Sequence, residues 1–225
     1  MRDCAASLAA AAPSGLDYLV LCQNGVPLKT DTLNADGDQP AFAVQAISRF
    51  VISQTLVERG VLNTGAVVVS VCNPGNSLDS LDAHNLSLRG IYPTCRTTVG
   101  WFMTQSFRDS SVIDAFMFEQ NKRFPQYRFF HIYPGMVGSE NFNYDAFPFP
   151  INWATWAFDK AGLMTSPKAF AAYPVYVALY PDEAEKLAGG RFMGYRLGPA
   201  PPGKWAQVEA NRLAVWDQFE KIIKE

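Results

Sequence analysis

The sequence predicts an α/β fold, a mostly parallel sheet with helices on both faces. Three observations carry this. Short apolar runs of strand length alternate with longer stretches of helical period. The run GAVVVSVC, Gly65 to Cys72, is apolar on both alternating faces, as expected of a strand covered from both sides. Strands separated by helices also call for right-handed crossovers, which leave the strands parallel.

Leu16 to Cys22, LDYLVLC, is too short for a helix and runs into Gln23-Asn24-Gly25, so it reads as a buried strand entering a turn. From Pro40 to Gly60, Phe42, Ile47, Phe50, Val51, Gln54 and Val57 recur at steps of three and four, with Gly60 placed as a C-cap. That segment is a helix. Gly65 to Cys72 is the second strand. Asp109 to Phe124 is again helical, with Val112, Phe116 and Gln120 on one stripe and Pro125 past its end. Tyr127 to Tyr133 forms a third strand, closed by Pro134-Gly135. Asn141 to Ala161 is aromatic and proline-rich, so it reads as a loop leading into a short helix. A helix from Ser166, kinked at Pro174, a short strand near Arg191 to Arg196 and a helix from Gly203 complete the order. The whole of 1–225 reads as one domain, with 1–15 an N-terminal segment and about 141–165 an aromatic lid over a substrate.

Composition narrows the function classes. The 225 residues are 48% apolar and 18% charged, with 19 basic against 21 acidic side chains, which excludes a disordered chain and a polybasic nucleic-acid binder. No run approaches the roughly 18 apolar residues of a membrane span. The alanine-rich start imitates a signal peptide, but Asp3 beside Arg2 and the weak hydrophobicity of alanine argue against one, so a cytoplasmic location is expected. Cys4, Cys22, Cys72 and Cys95 show no paired short spacing and the only histidines are His84 and His131, so neither a metal nor a disulfide framework is expected.

In α/β sheets ligands bind at the carboxyl ends of the strands. Here those ends are Gln23-Asn24-Gly25, Cys72-Asn73-Pro74-Gly75 and Tyr133-Pro134-Gly135-Met136. His131 lies mid-strand, where a hydrogen-bonded core role is expected. His84, near Asp79 and Asp82 after the second strand, is either a proton shuttle near the pocket mouth or part of a solvated loop.

The helix VQAISRFVISQTL, the strand GAVVVSVC, the loop YPGMVGS and the terminal NRLAVWDQFEKI, in that order and spacing, resemble the divergent fungal short-chain dehydrogenases/reductases. The resemblance runs from about Leu16 to Glu225 and implies a partial Rossmann-like fold. It makes Leu16 to Cys22 the family's fourth strand, and the chain has neither G-x-x-x-G-x-G nor G-x-G-x-x-G, so it implies a truncated member without the dinucleotide-gripping half. Gly190, Gly194 and Gly198 read as turn and strand packing.

Position by position, the resemblance puts Gln45 where the family has its catalytic asparagine and Cys72 where it has serine, with Ser70 two residues earlier on the same strand face. The Y-x-x-x-K pair is replaced either by Tyr92 and Arg96 or, in an ungapped count, by Thr104 and Arg108. Ser139 falls where a threonine helps to hold the nicotinamide amide. Tyr133, Met136 and Phe147 are expected to line the substrate site, and Trp153 and Trp156 stand in the lid region as substrate wall or core.

Three functions remain open. The first is a cofactor-independent, non-redox enzyme acting on a small hydrophobic or ring-containing secondary metabolite by cyclisation, isomerisation, dehydration or an aldol-type step. The second is an NADPH-dependent oxidoreductase completed by another chain, with NADP as its cofactor. The third is a non-catalytic binding partner. In the family's sheet order, a missing first strand leaves Leu19 to Cys22 at an open edge. Cover is expected from residues 3–12 folding back or from a homodimer or larger oligomer.

Overall fold

A computed structural model describes residues 2–25, 27, 30–91, 97–138 and 143–224. Strands β1 (Leu16–Leu21), β2 (Leu62–Val71), β3 (Arg128–Ile132) and β4 (Phe192–Met193) pair in chain order, all parallel. Helix α1 (Arg2–Ala11) precedes β1. Between β1 and β2, α2 (Pro40–Phe42), a π-helical turn (Ala43–Ile47) and α3 (Ser48–Glu58) follow without a break, and α4 (Thr98–Arg123) joins β2 to β3. Next come α5 (Ile151–Lys160), α6 (Pro167–Leu179) and α7 (Pro181–Ala188), then β4, α8 (Lys204–Gln207) and α9 (Glu209–Lys224).

The two-residue period of β2 divides the core. Ala66 and Val68 pack with Phe50, Leu56, Val112, Phe116, Trp216 and Phe219 from α3, α4 and α9. Val67 and Val69 face Val177, Ala184 and Ala188 from α6 and α7. The expected α/β architecture with both faces covered is therefore present. Phe50 anchors the first layer, with edge-on rings from Phe116 at 5.5 Å and Trp216 at 5.2 Å.

Two elements differ from expectation, and the N-terminal segment takes a definite form. α4 begins eleven residues before Asp109, because its first turns carry Gly100, Thr104 and Ser106 in place of a clean apolar stripe. Those turns are held by hydroxyls instead. Thr97 caps the helix by accepting from the Gly100 N–H at 2.9 Å, and Thr104 and Ser106 donate to the carbonyls of Gly100 and Phe102, four residues back. The N-terminal segment is a helix, its alanines supplying propensity while Ala5, Leu8 and Ala9 pack toward α3. The last strand has only two residues before a 3₁₀ turn, Tyr195–Leu197.

Among the described residues β1 has a strand neighbour on one side only. Its Tyr18 and Val20 share a face with Val67 and Val69, yet are 51% and 44% exposed. On that same face α6 buries Val177 and Ala178 but leaves Val175, Tyr176 and Leu179 in solvent. No described helix is long and apolar enough to cross a membrane.

Candidate active site

A cavity of ≈ 580 Å³ opens at the carboxyl ends of β1, β2 and β3. Cys22, Asn24 and Gly25 follow β1, Cys72, Asn73 and Asn76 follow β2, and Tyr133 and Pro134 follow β3. The π turn contributes Gln45, and Phe147 and Phe170 close the side. α4 presents Phe102, Met103, Ser106 and Phe107. Gln45, Cys72, Tyr133 and Phe147, picked from the sequence, thus line one space.

The other candidates lie elsewhere. Ser70 is buried one step below Cys72 on the same face of β2. Met136 is 40% exposed and does not line the cavity. Trp153 and Trp156 stand on α5, which buries only Thr155, so these indoles face solvent and the aromatic wall comes from α4, Phe147 and Phe170. His84 lines a separate groove with Asp38, Arg89 and Lys221. Thr104 donates to a carbonyl of its own helix. Arg108 is fully buried off the cavity, its guanidinium 4.0 Å from the Phe42 ring centre. Tyr92, Arg96 and Ser139 lie outside the described residues. The α4 wall was missed because the helix was expected to start at Asp109. Asn24 and Asn73 were legible, since each stands in a turn already placed at a strand end.

Arg49 of α3 ties the site together. Its guanidinium donates to the carbonyl of Val71 at 2.7 Å and to that of Gln45, joining the end of β2 to the π turn. Single π turns inside α-helices recur at functional sites, where the extra residue re-aims a side chain. Here the turn brings Gln45 to the cavity with its buried Oε1 lacking any hydrogen-bond partner. Burial pushes the Cys72 thiol up to about 11, against the pull of Arg49, so at neutral pH Cys72 is an S–H donor rather than a thiolate.

Behind Cys72 lies a buried knot. Asp114 of α4 accepts from the backbone N–H groups of Gly75 and Gly203 through one oxygen, both at 2.9 Å, and meets Nδ1 of His131 at 2.8 Å through the other. Both turns need glycine. Gly75 has φ +84°, and a Cβ on Gly203 would stand 2.9 Å from that of Ser77. A carboxylate used as acceptor on both oxygens places the histidine proton on Nδ1, which leaves Nε2 as a buried acceptor without a partner.

Burial holds the His131 imidazole below its usual range, opposed by the Asp114 carboxylate. Its ring signals are therefore expected to stay those of the neutral Nδ1–H form as pH falls through 6.5. The unfolded chain takes up a proton there that the folded one refuses, so His131 makes stability fall as pH drops below about 6.5. Histidine-selective NMR checks both the tautomer and the titration, and a His131 midpoint at or above 6.5 contradicts the assignment.

Comparison with known proteins adds the fold. No family model matches the chain, and no curated protein matches it in sequence. Among solved structures, a protein of Mycobacterium paratuberculosis described as uncharacterized aligns over 98% of this chain and 72% of its own, at 17% identity and a TM-score of 0.56. The KRED1-Pglu enzyme aligns over 77% and 67%, at 14% identity and a TM-score of 0.52. A carbonyl reductase from Pseudomonas aeruginosa PAO1, solved with NADP, aligns over 89% and 73%, at 19% identity and a TM-score of 0.49. The likeness is one of fold. The chain has a Rossmann-like α/β fold, similar to that of the Mycobacterium paratuberculosis protein and the KRED1-Pglu enzyme.

Proposed function

We propose that this chain is a cofactor-independent, non-redox enzyme that acts on a small, neutral, ring-containing metabolite by an isomerisation, cyclisation, dehydration or aldol-type step. The observation that supports it is the lining of the cavity. Phenylalanines from three segments offer flat apolar walls, four side-chain amides (Asn24, Gln45, Asn73 and Asn76) supply polar contacts, and no described lining residue carries a charge.

That lining does not suit a dinucleotide, the cofactor implied by the resemblance. A diphosphate is held by cations, or by backbone N–H groups of a glycine-rich turn at a helix start, and the described wall offers neither. The residues present favour holding a ring in one reactive conformation while the Cys72 S–H and amide N–H groups face an oxygen on which charge develops, as in an enol or enolate. A donor aimed in this way contributes about 10²- to 10³-fold in rate.

Mass spectrometry of small molecules released from the purified protein tests the reading. The expected compound is neutral, contains a ring and bears a carbonyl or hydroxyl. Ser106→Trp, which fills the cavity from α4, is expected to abolish its recovery without loss of fold. A phosphorylated compound, or equal recovery from the variant, contradicts the proposal.

We also propose that a second copy covers the open flank of β1, because a flat apolar edge associates unless it is covered. Sedimentation is expected to report a dimer or larger species that Val20→Lys weakens. A monomer at every concentration contradicts this.

A further inference from the structure

Ser70 and His131 stand in register on neighbouring parallel strands, with backbones about 4.8 Å apart. Both side chains are buried, and both Ser70 Oγ and His131 Nε2 lack a hydrogen-bond partner. A serine hydroxyl and an imidazole nitrogen of complementary chemistry thus occupy adjacent register positions on one face of the sheet, with no direct hydrogen bond between them. Unmatched buried polar atoms are rare in folded proteins, and two complementary ones in register on neighbouring strands call for a role. Two residues along the same face of β2, Cys72 reaches the cavity, a span of about 6.6 Å, the length that a single bridging water would cover.

We propose that Ser70, His131 and Asp114 form a buried proton relay whose cavity end is Cys72. The inference rests on the reading of the cavity as a non-redox active site, which requires a proton to leave the ligand and return. Each link takes one proton and passes one on. The ligand's proton goes to Sγ as the thiol proton leaves through an intervening water to Ser70 Oγ, and, as the hydroxyl swings onto the ring, the serine proton passes to Nε2 of His131. The result is an imidazolium against the Asp114 carboxylate and an anionic ligand on the Arg49 side of the cavity. No electron moves, and the reverse passage delivers the proton to a different ligand atom. Ser70 and His131 act through Cys72 and are positioning residues in this scheme.

The charged and titratable surroundings suit an imidazolium that forms only transiently. Burial and Arg49 from α3 oppose it, and Asp114 from α4 favours it. Arg108 lies beyond Asp109 and is paired with it. Phe192 of β4 sets its ring edge-on at 6.2 Å and contributes no charge.

The relay can be read without a substrate, because the same path carries the proton of Cys72 itself. Iodoacetamide alkylation of the full-length protein at pH 7.5, followed peptide by peptide, reports Cys72 against exposed Cys4 as an internal standard. Ser70→Ala is expected to slow Cys72 about tenfold or more, Ser70→Thr to restore it, and His131→Gln to slow it as Ser70→Ala does, with Cys4 unchanged throughout. An unchanged Cys72 rate in Ser70→Ala overturns the relay, as does a wild-type Cys72 that does not react. If His131→Gln fails to fold, the two Ser70 variants decide. The relay and the ligand reading fail separately. A neutral ring ligand with unchanged Cys72 rates removes only the relay, and a phosphorylated ligand with the expected rates removes only the reading of the cavity.

Discussion

Asp114→Ala is expected to lower the unfolding free energy by about 3–5 kcal/mol, the cost of removing one partner from a buried, hydrogen-bonded charge cluster. The carboxylate has no exposed surface and joins four parts of the fold: α4, the turn after β2, the turn before α8 and His131 on β3. Its loss strands the buried Gly203 N–H, the half-buried Gly75 N–H and a ring N–H, each about 1–3 kcal/mol when unpaired in the interior. For a chain of this length the melting temperature drops by about 10 °C. Asp114→Asn retains an acceptor but replaces the other oxygen with a donor, so a smaller loss is expected. Thermal unfolding checks both, and a change below about 1 kcal/mol for the alanine variant would show that the knot is relaxed by water.

A loss of similar size is expected for Arg108→Ala, for a different reason. Arg108 and Asp109 are both fully buried and pair at 2.5 Å, and burial pushes the Asp109 carboxyl up while the guanidinium pulls it down. The guanidinium also donates to the Leu86 carbonyl at 2.7 Å and to Gln39 at 2.8 Å, tying α4 to the loops on either side of α3 and β2. Truncating it leaves a buried charge alone, about 3–5 kcal/mol. The double variant Arg108→Met, Asp109→Leu removes charge and countercharge together and is expected to recover most of that loss. Denaturant unfolding of the four-member cycle measures the coupling, and additive losses would mean that the pair is not mutually dependent.

Legibility followed physical range. Elements whose apolar period is local, such as GAVVVSVC and the stripe of Phe50 and Val57, were readable because burial on a sheet or helix face repeats at two or 3.6 residues. The strand-end turns marked the cavity for the same reason, since they are where such periods stop. The first half of α4 was not readable. Its stability comes from hydroxyl caps and a face of Phe102, Met103 and Phe107 turned to a cavity rather than to a core. The Asp114 knot was hidden too, because Gly75 and Gly203 are 39 and 89 residues from the aspartate, and only the tertiary fold brings them together. Trp153 and Trp156 misled in the opposite direction. Large aromatic residues suggest a wall, but on a helix that buries a single threonine they remain outside.

The claim that this cavity works without a dinucleotide is tested most directly by isothermal titration of the purified chain with NADPH. No saturable heat is expected, with any dissociation constant weaker than about 1 mM, or about −4 kcal/mol of binding free energy. A dissociation constant near 1 μM, roughly −8 kcal/mol, would contradict it and identify the site as that of an NADPH-dependent reductase.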